Sequence, residues 1–312
     1  MRLRTWNNGF DDAVSSALAS GLDGSARRFL HGNATPRVDF SAPAGEAALV
    51  AFDSVSWRVF KNPVSLFIGG VAAVLLEFAE PKVRSGVWDH STFRTDPVAR
   101  LKRTGLAAMV TVYGAQSVAE KMIAGVSRIH ERVEGTTPSG ETYRANDPEL
   151  LNWVQATAAF GFLEAYRAYV RPLTDEERNC FYAEGGKAAA LYGATGAPSS
   201  VAEADALFAA MTPRFESSPI IFEFIDIMRK APALPGPLQL AQRVFIRAAV
   251  DILPREARQA LGLGRRYGLR SFEGRIVRRL GRRADRMILK SSPAVQACAR
   301  LGLPEDYLFN RH

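Results

Sequence analysis

An all-α fold, a single multi-helix bundle, follows from three features of this 312-residue chain. Helix starts recur in one written form, a capping residue followed by proline: Asn62-Pro63, Asp96-Pro97, Asp147-Pro148 and Ser218-Pro219. The cap's side chain accepts from an orphan amide, and the proline ring presets φ for the first turn. Three capping-box patterns predict further starts, at Ser117-x-x-Glu120, Thr174-x-x-Glu177 and Ser200-x-x-Glu203. Helix stops stand at matching intervals: Pro81, Gly114, Gly135, Pro172, Gly185-Gly186, Pro213, Pro232 and Pro254. No strand-turn-strand pattern of comparable length competes, although Thr136 to Tyr143, with Pro138 and Gly140, reads as a short hairpin or a loop.

Taken in order, the chain divides into an N-terminal extension (1–45), a helical domain (46–250) and a basic helical C-terminal segment (251–312) packed on the domain or extending from it. With 47% hydrophobic and 23% charged residues the chain can build a sizeable core. At its start, Arg2 and Arg4 are followed by no apolar run but by Asp11 and Asp12, so a signal peptide is not expected. The longest apolar stretch, Val64 to Ala79, contains Gly69-Gly70 and carries Glu77. It falls short of the roughly 20 residues that span a bilayer, which predicts a buried core helix. Cys180 and Cys298 are far apart, with no Cys-x-x-Cys and no histidine at metal-ligand spacing. Neither a disulfide framework nor a zinc site is expected, and a reducing, cytoplasmic setting fits.

Charge divides the chain more sharply than hydrophobicity. Between Pro254 and Lys290 twelve Arg or Lys face only Glu256, Glu273 and Asp285, which leaves the rest of a chain of net charge +8 close to neutral. Ile276, Val277, Leu280, Ala284, Met287 and Ile288 fall on one face of a helix there, with arginines on the other. Such a helix either packs on the bundle with a solvated basic face or docks on an anionic membrane. Nucleic acid is not the expected partner, because Tyr267 and Phe272 lie only near the segment's start and no aromatics interleave with its arginines.

The central stretch holds the candidate chemistry. A helix starting at Asp96-Pro97 sets Arg100, Arg103 and Thr104 on adjoining positions of one side, with Leu101, Ala108, Met109 and Val112 turned toward the core. His130 follows Thr104 by 26 residues, about 39 Å along an unbroken helix, too far for both to touch one ligand. A break at Tyr113-Gly114, before Ser117, allows a second helix to fold back. Ile123, Val126 and Val133 then lie beside His130 at helical spacing, so the imidazole projects from an apolar stripe. Two readings stand for it: a core histidine satisfied by hydrogen bonds, or an axial ligand to haem iron, with a nearby cation for a propionate or for iron-bound oxygen.

Motif order narrows the choice. The run Asn62-Pro63, Gly69-Gly70, Ala79-Glu80-Pro81, Asp89-His90-Ser91, Asp96-Pro97, Arg100-x-x-Arg103-Thr104, Tyr113-Gly114, His130-x-x-Val133-x-Gly135, Tyr143, Asp147-Pro148 and Trp153-Val154 resembles the MpaB/rubber-oxygenase catalytic-domain family over roughly residues 55 to 185. The resemblance implies an all-helical fold with a haem b pocket between helices, and O2-dependent cleavage of carbon-carbon double bonds in isoprenoid-like chains. It implies that His130 is the proximal iron ligand and that Arg100 and Thr104 form the Arg-x-x-x-Thr pair beside the haem. Arg103 stands where rubber oxygenases place a distal lysine; its guanidinium is a fixed, permanently charged fork. Glu80 and Gln155 stand where many relatives have histidine. The expected partners are O2 and a small apolar substrate, not polymeric rubber. The alternative is a non-catalytic helical binding protein that docks on anionic membranes through its basic C-terminal helix. His90 is the next candidate ligand, more simply read as a histidine held by hydrogen bonds at a polar turn. Glu176 and Glu177 serve a helix N-terminus, Tyr143 and Trp153 serve packing, and His31 and His312 have no informative context.

Overall fold

The computed structural model describes residues 37–234 and 238–310; the chain's first residues, His31 and His312 lie outside them. Chain order is α1 (Val55–Phe60), α2 (Pro63–Glu77), α3 (Pro81–His90), α4 (Pro97–Tyr113), α5 (Gln116–His130), β1 (Glu134–Thr136), β2 (Thr142–Arg144) and α6 (Pro148–Tyr169). There follow α7 (Asp175–Glu184), α8 (Gly186–Tyr192), α9 (Val201–Met211), α10 (Pro219–Lys230), α11 (Leu238–Asp251), α12 (Arg255–Ala260), α13 (Glu273–Ala284) and α14 (Pro293–Arg300). The all-α expectation holds: among the described residues the one sheet is the hairpin β1-β2, paired antiparallel with Gly135 opposite Tyr143.

All four cap-proline starts are used. Asn62, fully buried, accepts from the amides of Val64 (3.1 Å) and Ser65 (3.2 Å), while Asp96, Asp147 and Ser218 cap α4, α6 and α10. Ser292-Pro293 and Glu80-Pro81 add two more. Pro81, expected as a stop, instead opens α3, with buried Glu80 as its cap accepting from Val83 N at 2.8 Å. Of the three capping boxes only Thr174/Glu177 forms completely. Ser200 caps α9, but Glu203 turns to Ser199. Ser117 makes no box: α5 starts one residue earlier, and Glu46 takes both the Ser117 amide (2.6 Å) and its hydroxyl (3.0 Å). A carboxylate from another segment outcompeted the local partner.

The expected core helix is α2, on which nine of 15 residues are buried. A helix apolar all round belongs in an interior, and α2 lies against α6 more extensively than against any other element. The two touch backbone to backbone at Gly69 and Gly161. A Cβ on Gly69 would stand 2.7 Å from the Gly161 carbonyl oxygen and 2.8 Å from Phe162 Cα, so only paired glycines permit this approach. Trp57, Trp153, Tyr113, Phe78, Phe224 and Phe245 fill the space around the pair. Trp153 packs against Phe208 and Phe215, and buried Tyr143 against α3, in keeping with packing roles.

The basic C-terminal segment is fastened to this core. Asn62 Nδ2 donates to Gly281 O (2.9 Å) and Asp285 Oδ1 (3.1 Å), and Lys61 pairs with Asp285 at 3.3 Å. The buried stripe of α13 is Glu273, Val277 and Gly281; Ile276 and Ile288, expected on that face, are exposed. Glu273 can turn inward because Arg247 meets its carboxylate at 2.5 Å. Cys180 and Cys298 are free thiols, one exposed and one buried.

Candidate functional site

The break predicted after Tyr113 is present, and across it Arg100 lies within electrostatic reach of His130. Gly114 ends α4, and a side chain there would press on Val110 O at 2.6 Å, so glycine lets the chain leave the helix at once. Ala115 opens α5, which runs to His130 as its last residue. Along α4 the buried stripe is Ala99, Leu106, Val110, Val112 and Tyr113. Of the four residues expected to face the core, Val112 is buried, whereas Leu101, Ala108 and Met109 are half-buried. Arg100 and Thr104 lie on another side, where an Arg100 guanidinium N–H donates to Thr104 Oγ1 and that hydroxyl donates to Arg100 O at 3.0 Å.

His130 is half-buried, and its Nδ1 is enclosed without a hydrogen-bond partner among the described residues. Burial lowers its pKa, and the charge of Arg100 lowers it further, so the two side chains share one electrostatic neighbourhood across the break. A cation would be favoured at a helix C-terminus; desolvation and Arg100 win here, and the ring is neutral at neutral pH. One turn earlier, Ser127 Oγ is likewise buried without a partner. Ile123 is buried and Val126 half-buried on the same helix, the apolar wall the spacing predicts.

Sequence reading missed a third member, Glu77. Burial raises its carboxyl pKa to about 7, while the charge of Arg100 opposes the rise. The residue ends α2, where a carboxylate also faces the negative end of the helix dipole. Arg100 is correspondingly lowered, chiefly by burial, against the pull of Glu77. Glu77, Arg100 and His130 all keep accessible surface although burial dominates their titration. They line a recess. The signal for Glu77 was present, a lone charge in an apolar helix, but it was weighed only as an argument against a membrane span.

Other candidates sit elsewhere. Arg103 is exposed and donates to Thr92 Oγ1 at 2.6 Å, tethered to the loop before α4. His90 Nε2 lies 3.2 Å from Tyr143 OH, a partner on β2 rather than a local one. Gln155, on α6, reaches its amide toward Gly185 at the α7-α8 junction, and Glu177 completes its box while pairing with Arg58 at 2.8 Å. Among the described residues no three His, Cys, Asp or Glu side chains converge to hold a metal ion.

The helical domain thus sets an imidazole of lowered pKa and a carboxyl of raised pKa within electrostatic reach of one guanidinium. The chain belongs to the family described as ER-bound oxygenase mpaB/B'/rubber oxygenase, catalytic domain, whose profile matches residues 57–286. That match runs on through α13, well beyond the stretch in which motifs carry the resemblance. Two uncharacterized mycobacterial proteins, from Mycobacterium bovis and Mycobacterium tuberculosis, are each 29% identical over 115 residues, 36% of this chain. The chain spans 45% of the length of these curated relatives. No solved structure matches it. No single helix among the described residues is long and apolar enough to cross a membrane.

Proposed function

We propose that this chain is a haem b-dependent oxygenase that uses O2 to oxidise a small unsaturated, apolar substrate of lipid or isoprenoid type, with His130 as the single protein ligand to iron. The observation that carries the reading is the His130 imidazole, kept neutral by burial and by Arg100, with an orphaned Nδ1. A neutral imidazole is the form that ligates iron. One imidazole, without converging carboxylates or thiolates among the described residues, suits iron already held by a macrocycle. Haem, when bound, supplies the iron at which O2 is activated.

The chain's own residues then divide the remaining work. Arg100 offers a desolvated cation to a propionate or to developing negative charge, and Thr104 fixes its rotamer by accepting from it. Glu77, raised to about 7, exchanges a proton on its carboxyl around neutral pH, since a group titrating near the operating pH serves both directions. Ile123 and Val126 keep water from one side. Arg103, bound to Thr92, contributes charge from the rim, which Arg100 registers as a further lowering of its own pKa.

The test is spectroscopic. Purified protein supplied with haemin is expected to show a Soret band and a positive pyridine haemochrome, and His130→Ala to lose them. A colourless protein that refuses haemin sinks the proposal. Full haem occupancy with an unchanged spectrum in His130→Ala refutes the ligand assignment, and His90 becomes the next residue to substitute.

A further inference from the structure

The surface of α13 carries a dense run of exposed arginines. Its buried stripe, Glu273, Val277 and Gly281, fixes how the helix is turned. Arg275, Arg279 and Arg282 therefore point away from the core, with Arg278 and Arg283 on either side and Arg286 just past the helix end, all six exposed. Several arginines elsewhere reach carboxylates, as in Arg58-Glu177 (2.8 Å), Arg84-Glu216 (3.1 Å) and Arg214-Glu149 (2.9 Å). None of these six makes an ion pair among the described residues. Like charges spaced three and four apart repel along a helix, so folding alone gains nothing from this arrangement.

Two further observations say what the face meets. Phe272, 59% exposed, and Ile276, 42% exposed, are large apolar side chains set at the edge of the arginine arc. On the opposite flank of the arginine arc lies a recess of about 500 Å³ whose lining includes Arg270, Ser271, Gly274 and Arg278. Its two acids are already engaged, Glu164 by Arg167 (2.6 Å) and Asp251 by Arg258 (3.3 Å), which leaves the cationic donors of Arg270 and Arg278 for an anion. Arginines for phosphate oxygens beside an aromatic and an aliphatic side chain for the acyl boundary are the chemistry of an anionic bilayer surface. A nucleic acid would offer the phosphates without an acyl layer to cover Phe272 and Ile276.

We propose that the α13 face docks on anionic phospholipid, with a headgroup phosphate in the Arg270/Arg278 recess and Phe272 and Ile276 seated in the interface. The inference is independent of haem binding. The experiment is co-sedimentation of the full chain with vesicles of phosphatidylcholine alone or containing about 30 mol% phosphatidylglycerol, at about 0.1 M and about 0.5 M NaCl. Binding is expected only to the anionic vesicles, and to fall at the higher salt. Each basic residue at such a surface contributes about fivefold, so the combined variant Arg278→Gln/Arg279→Gln/Arg282→Gln should bind about 100-fold more weakly. All three side chains are exposed, and an unchanged circular dichroism spectrum confirms that the variant folds. The variant Phe272→Ser/Ile276→Ser should lose the part of binding that survives high salt. Equal binding to neutral vesicles, full binding by the triple arginine variant, or retention on duplex DNA but not on vesicles at equal phosphate concentration overturns the proposal.

Discussion

Replacing Glu77 by glutamine separates a protonated, desolvated carboxyl from a carboxylate paired with Arg100. Holding the carboxyl at about 7 against an ordinary 4.5 costs the folded chain about 3 kcal/mol once pH exceeds both values, at about 1.4 kcal/mol per pH unit. The side chain keeps some accessible surface, and screening brings the figure to about 2 kcal/mol. The sign follows from proton binding. Below pH 4.5 both states hold the proton and Glu77 is neutral to stability. Between 4.5 and 7 the unfolded chain releases it first, so the wild type is progressively destabilised as pH rises. Glu77→Gln, which resembles the protonated acid, should therefore match the wild type near pH 4 and exceed it by about 2 kcal/mol at pH 8, roughly 5 °C in Tm. Thermal unfolding of both proteins without haem, at pH 4, 6 and 8, is the assay. If the variant is instead less stable at pH 8, Glu77 is ionised and paired with Arg100, and its assignment as a proton carrier at neutral pH is wrong.

Three more outcomes are expected. Gly69→Ala gains about 1 kcal/mol of helix propensity but drives a Cβ into backbone atoms that cannot swing aside, for a net loss of about 2 kcal/mol. Its neighbour Gly70→Ala meets only Phe162 Cε1 at 3.9 Å and should stabilise by up to about 1 kcal/mol; equal effects in urea unfolding would refute the crossing. Asn62→Ala removes the α2 cap and two donations to α13, costing roughly 3 kcal/mol, with faster amide exchange along residues 277–285 as the local readout. His130 is lowered below its ordinary 6.5, so the unfolded chain takes up that proton first as pH falls. Stability should drop below pH 6.5, and by less in His130→Gln; an identical pH dependence in both proteins would show the ring to be solvated.

Much of the fold was legible because its signals are local. A cap and a proline one residue later determine a helix start within a single turn, and Asn62, Asp96, Asp147 and Ser218 all act as written. Longer-range partners override weaker local ones: Ser117 lost its box to Glu46, and Glu203 turned from Ser200 to Ser199. The same logic misplaced part of α13. Six apolar residues at helical spacing specified one face, but buried Glu273, neutralised by Arg247, rotated the helix and left Ile276 exposed.

For the proposed site, sequence alone supplied Arg100, Thr104 and His130 as candidates, together with the Tyr113-Gly114 break that sets Arg100 and His130 within electrostatic reach. It could not supply Glu77 as a partner, nor set Arg103 apart from Arg100. Spacing reports which residues share a helix face. The desolvation that raises Glu77 and lowers His130, and the Thr92 hydroxyl that draws Arg103 to the rim, depend on how α2, α4, α5 and the intervening loop pack. Those are distances through space between segments remote in sequence, and only the tertiary structure decides them.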